Sequence, residues 1–177
     1  MSLLDIYNIY SGTSVDPSYP PNGSIADWTP VALTAGTSYS AAINHNQGNV
    51  PLGGTTGSTY NGVQYVDPFV GESQVLMLKV ITPPAGGATA ITVNFLTDID
   101  DSGTNAPVTL ATLTVPYATV ADTYFALELT PNIKFKIYSI LQYVVPAGET
   151  VGVSAWLSPK KALDFIPTYI SGWVVLS

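Results

Sequence analysis

The chain predicts an all-β fold: an antiparallel two-sheet β-sandwich, jelly-roll-like, preceded by an extended N-terminal arm. Three observations carry this. Val, Ile and Thr supply 50 of the 177 residues, the side-chain types that pack well on a pleated sheet. From Glu72 onward, runs of about 6–10 residues dense in β-branched and aromatic side chains each close on a turn signal, the spacing of a sandwich or barrel. Helical spacing never persists, and the connections are too short for crossover helices.

Residues 1–70 are read as the arm and 71–177 as the sandwich. The arm is rich in turn formers, as in Asp16-Pro17-Ser18-Tyr19-Pro20-Pro21-Asn22-Gly23 and Pro51-Leu52-Gly53-Gly54, which break long regular elements. Only short strands are expected there, at 27–33 and 39–43. In the sandwich, the first strand spans 74–81 and ends at Pro83-Pro84-Ala85-Gly86-Gly87. The second, 89–96, alternates so that Ile91, Val93 and Phe95 share one face. An acidic turn, Asp98-Ile99-Asp100-Asp101-Ser102-Gly103, follows. Further strands are expected at 108–115, 123–129, 134–145, 150–157 and 169–176. Phe125, Leu127 and Leu129 form one apolar face, and Val151, Val153 and Ala155 another. The last run ties the C-terminus into a sheet.

The charge balance narrows function. There are 5 Lys and no Arg against 12 acids, a net charge of −7, and charged residues make up 10% of the chain, well under the usual ~25%. Nucleic-acid binding needs clustered cations to displace counterions, so no nucleic-acid partner is expected. No run approaches the ~20 apolar residues of a spanning helix, and no membrane partner is expected. The start has no basic region followed by a long apolar run, so synthesis in the cytosol is expected. Cysteine is absent, which removes thiol catalysis and thiolate metal sites.

Little catalytic chemistry is legible. His45, the single histidine, sits in a polar Asn-rich loop, and no Gly-x-Ser-x-Gly elbow exists to present a nucleophile to it. Asp98, Asp100, Ser102 and Gly103 match alternate positions of a calcium loop, but its twelfth position is Thr109 rather than Glu, so an acidic hairpin tip is the better reading. Glu72, Glu128 and Glu149 fall at turns or strand edges, which argues against a carboxylate pair across a cleft. No enzyme activity, catalytic residue, metal site or cofactor is expected. The aromatics carry more. Tyr7, Tyr10, Tyr19 and Trp28 cluster in the arm and are the candidate partner contacts, since such rings give large contact area plus a hydrogen-bonding handle; folding back onto the sandwich is their other role. A sugar-stacking face is a further reading, with Tyr60, Tyr65, Tyr138, Tyr143 and Trp156 as its candidates.

The order of an apolar strand, Pro83-Pro84-Ala85-Gly86-Gly87-Ala88-Thr89 before Ile91-Thr92-Val93, an acidic hairpin, Pro107-Val108-Thr109-Leu110-Ala111, and Pro146-Ala147-Gly148 before Val151-Gly152-Val153 resembles the jelly-roll cement, or decoration, proteins of short-tailed bacteriophage capsids. The resemblance covers about 100 of the 177 residues. It implies a structural virion protein, made in the host cytoplasm and carried on the capsid exterior. It further implies a homo-oligomer, a dimer in preference to a trimer, that clamps neighbouring major capsid protein subunits without enzymatic activity or cofactor. A carbohydrate-binding or host-adhesion β-sandwich module is the alternative.

Overall fold

The computed structural model describes residues 9–11, 13–14, 28–29, 31–44, 59–60, 63–64, 74–129, 136–160 and 168–176; those before residue 31 and at 59–64, with Asn44 and Pro159, are described by backbone alone. The strands in chain order are β1 (Ile9–Ser11), β2 (Thr13–Ser14), β3 (Trp28–Thr29), β4 (Val31–Tyr39), β5 (Ile43–Asn44), β6 (Thr59–Tyr60), β7 (Val63–Gln64), β8 (Gln74–Ala85), β9 (Ile91–Asp98), β10 (Val108–Val115), β11 (Thr123–Leu129), β12 (Tyr138–Pro159) and β13 (Trp173–Val175). No α-helix occurs among the described residues.

Nine strands form one nearly closed, antiparallel sheet organised on β12, while β2 pairs with β3 and β6 with β7. The runs expected at 134–145 and 150–157 are a single 22-residue strand. Along one edge of β12, β9 pairs with its first half and β8 with its second. Along the other edge run β4, β5 and β1. This divides the sheet into two limbs: β9, β10 and β13 extend from the first half of β12, and β8 with β11 from the second. The stretch 168–176 joins their far edges. Ile170 donates its N–H to the Tyr124 carbonyl at 2.8 Å and accepts from Ala126 N–H at 3.1 Å, while Trp173–Val175 pair with β10.

One apolar core fills the space between the limbs. It includes Leu76, Leu78 and Val80 of β8, Ile91, Val93 and Phe95 of β9, Phe125, Leu127 and Leu129 of β11, and Leu141, Tyr143, Val151 and Val153 of β12. For β9, β11 and the second half of β12 these are the alternating positions that the sequence assigns to one apolar face.

The limbs meet where β8 gives way to β9 and β12 bends at Pro146–Glu149. Gly86, at φ +115°, presses so closely on the Gly148 carbonyl that an added Cβ would fall 1.9 Å from its oxygen, and a Cβ on Gly87 would fall 2.4 Å from Glu149 Oε1. Glu149 is buried; its Oε1 accepts the Thr89 N–H at 2.8 Å, and its Oε2 has no partner among the described residues. On the opposite edge, Gly36, at φ +125°, lets β4 turn with the bend. Leu33, opposite the core residue Val151, faces inward, whereas Gly36, opposite Val145, is exposed and a Cβ on it would meet nothing within 4 Å.

Two expectations shift in detail. β8 runs on through Pro83 and Pro84 to Ala85, because β11 covers its other edge only from Gln74 to Val80 and prolines beyond that point deprive no partner of a donor. Within the expected arm, β4 is nine residues long and lies in the main sheet.

Gly86→Ala forces a methyl onto a backbone carbonyl, and we expect a loss of at least about 2 kcal/mol, lowering Tm by roughly 4–8 °C. Gly148→Ala meets nothing within 4 Å at φ +84° and should cost only the left-handed backbone penalty of about 1–2 kcal/mol. Equal melting temperatures for the two variants would contradict this view of the crossing.

Candidate interaction face

The two limbs differ in what their outer faces show. On the second limb, Val75, Met77, Lys79, Ser154, Trp156 and Ser158 point away from the core yet are buried. The first limb's outer face is open over much of its area, and its side chains form a hydrogen-bonded row. Tyr39, Gln142, Asn94, Thr112 and Val174 lie opposite one another across five neighbouring strands, roughly 19 Å from end to end at the usual strand spacing. Thr112 Oγ1 donates to Asn94 Oδ1 at 2.9 Å, Asn94 Nδ2 to Gln142 Oε1 at 2.8 Å, and Gln142 Nε2 to the Tyr39 hydroxyl at 2.9 Å. Each link donates toward Tyr39, whose hydroxyl accepts at the end of the row and keeps its own hydrogen to donate. A parallel row, Thr37, Val144, Thr92 and Thr114, adds three hydroxyls and one apolar side chain. Neither row carries a charge.

This face is held in place from one end. The loop between β9 and β10 folds back over Ile140, and a Cβ on Gly103 would fall 3.1 Å from Tyr39 Cδ1 and 3.3 Å from Ile140 Cδ1. Asp98 anchors the loop by accepting the Ile99 N–H at 2.7 Å and the Asn105 N–H at 3.1 Å. Buried Lys136 closes it from below, donating Nζ to the Ala106 carbonyl at 2.5 Å and its N–H to Thr97 Oγ1 at 2.7 Å. Asp100 accepts from the Ser102 N–H and hydroxyl, and these bonds hold its carboxyl below the usual carboxylate range. The acidic hairpin tip is thus a self-bonded turn at the border of the face. Among the described residues no group of three or more His, Asp or Glu is placed to hold a metal ion.

The other candidates fall elsewhere. Tyr143 is a core residue and Trp156 is buried on the second limb, so neither can stack on a sugar; strand alternation turns Tyr143 inward as its neighbours Gln142 and Val144 face out. Tyr138 is half-buried. Tyr10 and Trp28 lie in β1 and β3, and Tyr60 in β6, with backbone alone described; Tyr7, Tyr19, His45 and Tyr65 lie outside the described residues. Tyr39, 40% exposed, carries no contact signal in the sequence, because its neighbours, Gln142 and Gly103, are distant along the chain.

One further ionic cluster lies on the second limb. Lys79 is fully buried, its Nζ 3.1 Å from Asp122 Oδ1 and 5.3 Å from the centre of the Tyr124 ring. Burial pushes its pKa down, partly offset by Asp122; burial, then Asp122, raises that of Tyr124. No protein-family model matches the chain, and neither does any curated protein.

Asp122→Asn leaves the Lys79 charge buried without its counter-charge, and we expect a cost of about 1–2 kcal/mol, modest because Asp122 is half-exposed. Lys79→Met on that background should restore Tm. The wild-type Lys79 gives up its proton at a lower pH in the folded chain than in the unfolded one. Its contribution to stability therefore rises with pH between the lowered folded value and the ordinary 10.5. Denaturant titrations across that window should show this increment in the wild type and its loss in Lys79→Met.

Proposed function

We propose that this chain is a structural virion protein, a capsid cement or decoration protein that binds the outside of a phage head and clamps neighbouring major capsid protein subunits. The two limbs around one core are read as the two layers of a jelly-roll-like sandwich. The observation that carries the functional reading is the uncharged outer face of the first limb, with its hydrogen-bonded row from Thr112 to Tyr39. Side chains already fixed by one another lose little entropy when a partner covers them, and an exposed Tyr with a free donor suits the centre of an interface. A symmetric shell repeats each contact many times, so modest single contacts add up, and binding only to the assembled lattice stabilises it by mass action. A homo-oligomer, a dimer in preference to a trimer, would present several such faces at once. The net −7 charge fits a place on the exterior, away from the genome.

The test is co-sedimentation with matured, DNA-free shells of the phage encoding the chain. We expect binding and a raised melting temperature of the shell. Asn94→Arg, which places an unmatched charge mid-row, should weaken binding by at least about tenfold while leaving the protein's own melting within a few degrees. Absence of binding to the shells overturns the proposal, and selective binding on a glycan array without shell binding would assign the face to carbohydrate instead.

A further inference from the structure

We infer that the outer edge of β4 takes up an extended, uncharged segment of the shell partner by β-strand addition. This rests on the shell-binding reading and adds a second mode of engagement beside the face. β4 pairs with β12 along one edge, and among the described residues no strand pairs with its other edge. Ser40 donates its N–H to the Leu141 carbonyl at 2.8 Å. In an antiparallel pair the alternation then directs the N–H and C=O groups of Thr37 and Tyr39 to the outer side.

Edge strands normally carry a guard, such as a Lys, a Pro or an inward charge. Residues 31–41, Val-Ala-Leu-Thr-Ala-Gly-Thr-Ser-Tyr-Ser-Ala, contain none. Seven of the nine β4 residues are exposed. A groove of about 340 Å³ runs along them, lined by residues 31–41 and Tyr143. A Cβ placed on Gly36 would meet nothing within 4 Å, so an incoming backbone can approach closely there.

The occupant follows from shape and charge. Gly36 at φ +125° bends the edge, so two copies related by a two-fold axis would pair over one arm of the bend only. A single extended segment can follow it. Two copies at net −7 each also repel one another, and the neutral strip offers no salt pair to offset that. Main-chain hydrogen bonds would supply affinity. The mixed lining of Val31, Thr34, Thr37 and Ser40 selects small or β-branched uncharged side chains in the segment.

Hydrogen–deuterium exchange of residues 31–41, measured with and without the DNA-free shells, tests this. We expect exchange at Thr37 and Tyr39 to slow by at least about tenfold in the bound protein. Thr37→Pro removes a donor that faces away from β12, and should weaken shell binding by about tenfold or more. The exchange measurement on the wild type decides the matter if that variant does not fold. Shell binding with unchanged exchange at 31–41 overturns strand addition and leaves the decoration reading standing. Protection that grows with protein concentration in the absence of shells makes the occupant a second copy and overturns the proposal. No shell binding by the wild type overturns both readings together.

Discussion

Gly86 lies against the Gly148 carbonyl with no room for a side chain between them, and the geometry of the molecule follows from that contact. β12 is shared by both limbs, so the core can close only if it bends once and its two neighbours, β8 and β9, turn at the same place. The contact lets the two turns nest. Glu149 reinforces it by filling the space beside Gly87 and accepting the Thr89 N–H. Because β1, β4, β5, β8 and β9 all take their register from β12, an error at the bend would propagate to every pairing. Alternation makes such an error costly, since a slip of one residue would exchange core and solvent faces.

The same bend separates two chemical environments. The outer face of the second limb is buried and holds the Lys79–Asp122 pair. The first limb leaves its outer face open, and this is where the low charge of the chain becomes intelligible. Amide and hydroxyl side chains hydrogen-bond one another across four strands and keep a flat sheet face polar without ions. Such a face resists non-specific collapse yet remains easy to desolvate, since no charge must be stripped of water. That combination is what the proposed covering by a shell neighbour would require.

Much of the fold was legible because alternation is a local property. β10 and β11 occupy the stretches expected, 108–115 and 123–129, and Ile91, Val93 and Phe95 share the core as their spacing implied. The C-terminal run joins the sheet. The pieces misjudged were those where a local signal competes with a long-range one. Pro83-Pro84 and Pro146-Ala147-Gly148-Glu149 have the composition of chain breaks, yet β8 runs through the first and β12 continues across the second, where its pairing with β4 is interrupted by a register shift and resumes at Thr150. Thr34-Ala35-Gly36 has no strong strand signal, yet β12 pairs with Thr34 and Gly36 on either side of a register shift and carries β4 through it.

The sequence by itself determined the strand-rich character of the chain, the inward and outward parity of its β-strands, the acidic turn after Asp98 and the scarcity of charge, because each depends on residues within a few positions of one another. Tertiary structure alone decided which outward faces stay open. Met77 and Trp156 occupy outward positions as Asn94 and Gln142 do, but the former are buried and the latter half-exposed. It also decided that Tyr39, Gln142, Asn94 and Thr112 meet, since side chains up to 103 residues apart in the chain become neighbours only when β4, β12, β9 and β10 pair in register.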